Sequence, residues 1–290
     1  MKKVVILGCE NSHADQFLNF IKKRPEFADV EVVGIYSDEE APAARLAKIF
    51  NVKVMESYDE ASGLVDGVII TARHGDNHLK YARPYIESGV PMFIDKPITI
   101  DEDEAIELGR LLKASAIRVS GGSSLAKEDY VCKLAEDVKN EVDGRTVGGF
   151  VRAPMNADEK YGGFYFYAQH LTEMVMKIFG RYPISVYAAK AEESISVIFR
   201  YEDYDIQGLF VYNNYMYYAA RFAEKSNVGD TINLSGNSCF YNEFAEFYKL
   251  MCGEEQSMSY EDFIAPVFVM NAIERSMASG KEEKVKGFSI

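Results

Sequence analysis

The sequence predicts an α/β chain in two parts: a parallel sheet flanked by helices over residues 1–121, then an α+β part over residues 122–290 with a largely antiparallel sheet. Three observations predict it. Through Ser120, short apolar runs alternate with helix-like segments, the pattern that builds a parallel sheet. The alternation stops at Gly121-Gly122-Ser123-Ser124, and beyond it short runs of period two follow one another, as in Ser194 to Phe199. At 290 residues the chain also exceeds one ordinary hydrophobic core.

The elements follow in order. Val4 to Leu7 is a continuous apolar run, as a strand buried on both faces requires, and it ends at Gly8 before a helix to about Lys23. Val30 to Tyr36 is a second strand, Ala41 to Phe50 a helix, Lys53 to Met55 a short third strand and Tyr58 to Leu64 a helical turn. Val68 to Thr71 reads as the fourth strand, His78 to Ser88 as a helix closed by Gly89, and Pro91 to Ile94 as the fifth strand. Asp101 to Ala114 is a helix with an acidic first turn, favourable to its dipole, and Ile117 to Ser120 a sixth strand. The second part starts with a helix from about Lys127 to Val142, a strand at Arg145 to Ala153 and a helix at Gly163 to Phe179. Five strands then read as a meander: Ile184 to Ala188, Ser194 to Tyr201, Asp205 to Tyr212, Tyr215 to Ala223 and Asp230 to Leu234. Two helices close the chain, Tyr241 to Met251 and Ser259 to Ser279.

Composition excludes several classes. A formal charge of −13 repels phosphate backbones and anionic lipid heads, so neither nucleic acid nor a membrane surface is expected as partner. Four cysteines without CxxC spacing suggest neither a disulfide scaffold nor a structural zinc. The apolar run after Met1-Lys2-Lys3 is too short for a signal peptide, and a cytoplasmic location is expected.

In an open parallel sheet, ligands bind beyond the carboxyl ends of the strands, so the loops after Leu7, Tyr36, Ile70 and Ile94 should converge. The first reads Gly8-Cys9-Glu10-Asn11-Ser12-His13 and places a helix N-terminus where a pyrophosphate could be held. Against G-x-G-x-x-G only Gly8 is kept, with Glu10 and His13 at the other two glycine positions. A carboxylate about 4 Å from a phosphate would cost on the order of 4 kcal/mol unless Glu10 turns away or is paired. Ser37 and Asp38 follow the second strand, where an acid could hold ribose hydroxyls; Asp38 to Pro42 equally suit a plain turn and helix start. Thr71 and Ala72 end the fourth strand, and His78 begins a helix near the crevice.

Asp95-Lys96-Pro97 ends the fifth strand, where a lysine pointing into the crevice could bind a substrate hydroxyl and stabilise alkoxide charge; a solvated loop lysine is the plainer reading. His170 sits in an apolar segment behind Gly162-Gly163, either as a proton acceptor or as a satisfied core residue. His74, Asp76 and His78 form an H-x-D-x-H string with no supporting ligand cluster, and no metal is expected. The aromatic run Phe164 to Tyr167 and the later tyrosines read as core, sheet face or subunit interface.

These signals together resemble the glucose-fructose oxidoreductase, inositol dehydrogenase and rhizopine-catabolism (Gfo/Idh/MocA) family over nearly the whole chain. The segment HLKYARPYIESGVPMFIDKPIT, His78 onward, is similar to the family's helix, strand and Glu-Lys-Pro signature, with Asp95 in place of Glu. Phe166, Ala168, His170 and Glu173 stand at the four positions of its Asp-x-Gly-x-His-x-x-Asp motif, and the final helix also looks like the family's. The resemblance implies a Rossmann-type first domain binding NAD or NADP and a second domain for substrate and assembly. It implies hydride transfer to or from a sugar, polyol or related hydroxyl or carbonyl substrate, with Lys96 orienting the hydroxyl and His170 taking its proton, in a homodimer or homotetramer. Cofactor contacts would come from Gly8, Cys9, Glu10, Asn11, Ser12, Ser37, Asp38, Thr71, Ala72, His78, Asp95 and Lys96. Two departures stand out: the lost glycines at Glu10 and His13, and Phe166 where the family has a carboxylate. They leave open an alternative, a relative that keeps the fold as a non-catalytic ligand-binding or regulatory module.

Overall fold

The structure is a computed structural model that describes every residue except 235–237. The first part holds β1 (Lys2–Leu7), α1 (Ser12–Lys23), β2 (Val30–Tyr36), α2 (Glu40–Phe50), β3 (Gly67–Ile70), α3 (Asp76–Ala82), β4 (Met92–Asp95), α4 (Glu102–Ala114) and β5 (Val119–Gly122). Its five strands are all parallel, in the order β2-β1-β3-β4-β5. The sequence predicts six. Lys53 to Met55 makes only an isolated bridge, Val54 to Ile35, and Tyr58 to Leu64 forms turns without a helix. The expected helix from His78 to Ser88 ends at Ala82, and a short 3₁₀ turn, Arg83–Tyr85, takes over because Pro84 has no N–H to continue the ladder.

Alternation along β1 divides the core. Val4 and Ile6 face α1 and α2, whereas Val5 and Leu7 face α3 and α4. Two glycines are required where strands end. Gly8 has φ +97°, and a Cβ there would lie 2.2 Å from the Ala72 nitrogen; at Gly121, φ +130°, it would lie 1.9 Å from the Ile94 carbonyl oxygen.

The second part holds α5 (Asp129–Lys139), β6 (Thr146–Met155), α6 (Tyr165–Phe179), β7 (Ser185–Lys190), β8 (Ser194–Arg200), β9 (Asp205–Tyr212), β10 (Tyr217–Ala223), β11 (Asn227–Ile232), α7 (Ser238–Met251), α8 (Tyr260–Ser279) and β12 (Glu283–Lys284). The sheet order is β11-β10-β6-β9-β8-β7-β12, so the expected meander is interrupted. β6 is inserted between β9 and β10 and runs parallel to β9; the other pairs are antiparallel. One face of this sheet is covered by α6, nearly every side chain of which is buried, and by α8. α7 returns to the first sheet, where Phe244 and Phe247 pack with Phe17, Phe27 and Phe93. Among the described residues no helix is long and apolar enough to cross a membrane.

Candidate active site

The loops after β1, β2 and β3 meet at one end of a crevice. Thr71 ties two of them, donating its hydroxyl to the Gly8 carbonyl at 2.6 Å. Glu10 ties all three. Its Oε2 accepts from the Cys9 N–H at 2.8 Å and the Ser37 hydroxyl at 2.7 Å, and its Oε1 accepts from the Arg73 N–H at 3.0 Å. The two acids after Ser37 are engaged elsewhere: Asp38 accepts from the Tyr36 hydroxyl and Lys80, and Glu39 from the Tyr161 hydroxyl and Lys160. A cleft of 360 Å³ runs over this end, lined by Glu10, Asp38, Glu39, His74, Lys160 and Tyr161 among others.

This end fits a dinucleotide. Asn11 stands at the N-cap of α1 without capping it with its side chain, so the first-turn N–H groups are free of a side-chain acceptor where a pyrophosphate would sit. The Glu10 carboxylate is tied down by three donors, two of them backbone N–H groups.

Behind the loops lies a buried charge cluster. His13 Nε2 is 3.1 Å from Glu243 on α7, and Nδ1 is 3.0 Å from Asp95 Oδ2, an ion pair out of hydrogen-bond alignment. Asn11 donates its amide to the same Asp95 oxygen. Burial opposes charge on His13, but the two carboxylates prevail and hold its pKa up at about 9. The third glycine position is thus filled by a cation that staples α7 to α1.

Beneath the cleft Lys96 and His170 lie buried among aromatic rings. Lys96, 3% exposed, donates Nζ to the Phe166 carbonyl at 3.1 Å and lies 4.5 Å from the Phe166 ring centre and 5.2 Å from that of Tyr167. Burial lowers its pKa, with Asp95 opposing. His170, 6% exposed, meets the same Tyr167 ring edge-on at 5.3 Å. Burial, then the charges of Lys96 and His13, pushes its pKa well below the ordinary value, so the imidazole is neutral at pH 7. Its Nδ1 is 2.7 Å from the Ser123 hydroxyl. The Ser123 N–H donates in turn to Glu173, which also accepts from Gln169 Nε2 at 3.0 Å. Gly122 is required there, since a Cβ would lie 2.7 Å from the Glu173 oxygens.

The expected residues therefore divide. Gly8, Glu10, Ser37 and Asp38 gather at the cleft, with Ser12 exposed beside them; Lys96 and His170 converge on Tyr167 beneath it. Cys9, Thr71, Ala72, His78 and Asp95 are buried behind the crevice. His78 sits between the Ala72 carbonyl at 2.9 Å and the Ile98 carbonyl at 3.2 Å, turned away from His74 and Asp76. Among the described residues no group of three His, Cys, Asp or Glu side chains is placed to hold a metal. Of the phenols near His170 in sequence, Tyr161 bonds Glu39 and Tyr165 bonds Asn271 and Glu274, which leaves Tyr167 beside Lys96 and His170.

Three residues escape sequence reasoning. Arg73 lies over the rings of Tyr161 and Phe166, at 5.0 and 5.6 Å. Its place one residue past a strand-end loop was the available signal. Ser123 orients His170 from the glycine-rich boundary, and Glu243 reaches His13 from 230 residues away, with no local signal at all.

Residues 2–123 match the Gfo/Idh/MocA family model, described as an oxidoreductase family with an NAD-binding Rossmann fold. No curated protein matches the chain. A putative myo-inositol dehydrogenase from Sinorhizobium meliloti superposes with a TM-score of 0.84 at 17% identity, covering 99% of this chain and 100% of that one. A myo-inositol dehydrogenase from Corynebacterium glutamicum gives 0.84 at 19%, with 99% and 100% covered. A scyllo-inositol dehydrogenase from Lactobacillus casei, solved with NAD(H) and scyllo-inositol, gives 0.85 at 14%, with 98% and 99% covered. At these identities the likeness establishes the fold of both parts.

Proposed function

We propose that this chain, whose residues 2–123 match the model of the Gfo/Idh/MocA oxidoreductases with their NAD-binding Rossmann fold, transfers hydride between a nicotinamide dinucleotide and a polyol, sugar or related hydroxyl or carbonyl substrate. The observation that carries this reading is the convergence of Lys96 and His170 on one side-chain ring beyond the ends of β4 and β5. The inositol dehydrogenases among the structural relatives support a polyol.

Gly8, Glu10 and the first turn of α1 would hold the dinucleotide, which would supply the nicotinamide as hydride acceptor or donor. Lys96 gives up the Phe166 carbonyl and donates Nζ to the substrate oxygen, stabilising alkoxide charge. His170 donates Nδ1–H to Ser123 Oγ, which leaves Nε2 to take the hydroxyl proton. Glu173 acts at one remove, by fixing the Ser123 backbone. Phe166 supplies no carboxylate, so the neutral His170 bears the proton alone.

Titration with NADH, followed by nicotinamide absorbance with myo-inositol and a panel of neutral sugars, tests the reading. His170→Ala should keep NADH binding and lose about 100- to 10,000-fold in turnover. A second reading, a non-catalytic ligand-binding module, draws on the near-complete burial of Lys96 and His170. Binding of sugar without turnover would select it.

Assembly is proposed through the uncovered face of the second sheet. There Tyr187, Ile198, Gln207, Phe150 and Ala220 form one register row across five strands. Tyr187 is 38% and Phe222, on the same face, 37% exposed. A homodimer or homotetramer should appear in light scattering, and a monomeric mass at micromolar concentration would count against it. The four free cysteines support a cytoplasmic location.

A further inference from the structure

We infer that Glu10 is the carboxylate that receives the adenosine ribose hydroxyls, relocated from the end of β2 to the first turn, and that it selects NAD over NADP. The inference rests on the oxidoreductase reading above.

In a dinucleotide-binding parallel sheet, an acid at the end of the second strand takes the ribose hydroxyls, whereas a nearby arginine accommodates a 2′-phosphate. Here the residue after β2 is Ser37, which can offer no such charge. A carboxylate nevertheless stands at that place, because Glu10 Oε2 lies 2.7 Å from the Ser37 hydroxyl. The two positions have exchanged roles: the loop that ordinarily has glycine carries the acid, and the strand end that ordinarily has the acid carries a small hydroxyl that holds it.

The placement is rigid and open to ligand. Donors from three loops fix the carboxylate, and Glu10 lines the cleft. An ionised carboxylate has about four lone-pair sites, so three donors leave it capacity for a ribose hydroxyl. The other acids at this end are less free. Asp38 is held by Tyr36 and Lys80, and Glu39 by Tyr161 and Lys160. Those two lysines are thereby committed to carboxylates. Arg73 rests on Tyr161 and Phe166. A 2′-phosphate would meet the fixed Glu10 carboxylate, a like-charge approach that disfavours binding by on the order of a hundredfold or more.

The test is to titrate NADH and NADPH separately into the full chain, into Glu10→Gln, and into a Glu10→Ala, Ser37→Asp double variant, following nicotinamide fluorescence. Melting curves establish that each is folded. The wild type should bind NADH about a hundredfold tighter than NADPH. Glu10→Gln should bind NADH about tenfold more weakly and NADPH more tightly. The double variant, which returns the acid to the strand end, should recover the preference for NADH. Equal affinity of the wild type for both dinucleotides overturns the inference, as does tighter NADH binding by Glu10→Gln, which would make the carboxylate an obstruction. Failure of the wild type to bind either at millimolar concentration overturns the oxidoreductase reading itself.

Discussion

The cleft and the aromatic cluster beneath it manage charge by opposite means. At the cleft, acids are held by hydrogen-bond donors: Glu10 by two backbone N–H groups and Ser37, Glu39 by Lys160 and Tyr161. At the aromatic cluster the cations Lys96 and Arg73 lie over the rings of Phe166, Tyr161 and Tyr167. Aromatic faces attract a cation without neutralising it. The difference teaches that a net charge of −13 says little about a site. Beside Lys96 stands the Phe166 ring, whereas the cleft is lined by Glu10, Asp38 and Glu39.

Behind the loops the His13 cluster couples the two parts of the chain, and breaking it should have the largest effect. His13→Ala leaves Asp95 and Glu243 buried without their cation, and should cost about 3–5 kcal/mol in a denaturant titration. A loss below 1 kcal/mol would mean that the aromatic packing of α7 on α1 holds alone. At the aromatic cluster, Lys96→Ala should lower turnover about 100- to 1000-fold while leaving NADH affinity within a few fold. Equal loss of both would make Lys96 a residue of the cofactor site.

A pH series sharpens the contrast between the paired cluster and the half-exposed acids. A raised folded-state pKa stabilises fully below the unfolded value and loses that contribution as pH climbs through the folded one. His13, raised from 6.5 to about 9, should therefore cost the protein on the order of 3 kcal/mol between pH 6.5 and 9. Glu243, which burial pushes up to about 7, works in the same direction from pH 4.5. His13→Ala should remove the His13 part of that fall and leave the Glu243 part; stability that is flat to pH 9 in the wild type would contradict the assignment. The smallest effect belongs to the partly exposed pairs. Tyr161→Phe removes one hydrogen bond to Glu39, and should shift stability by about 1 kcal/mol or less.

Much of the fold was legible because strand burial is a local pattern. The runs Val4 to Leu7 and Val68 to Ile70 are apolar at every position, as only strands covered on both faces can be, and Asp101 announces its helix by capping it. The misreadings were local patterns overruled by partners. Lys53 to Met55 has strand composition but only Ile35 to bridge, and β6 leaves the expected meander by pairing with β9 and β10. The candidate site was legible where a residue's position along its element decides where its side chain lies. Lys96 at a strand end and His170 one turn into a helix behind two glycines are such residues.

By itself, then, the sequence determined the order of strands and helices, the crevice at the strand ends and the residue types that reach it, since these depend on burial periodicity and turn chemistry over a few neighbours. Only the tertiary structure decided what each charge is paired with. The donors to Glu10 come from positions 9, 37 and 73, and the partners of His13 from positions 95 and 243. Electrostatic pairing acts over a few ångströms of space, and no periodicity in the chain encodes which distant side chains will share them.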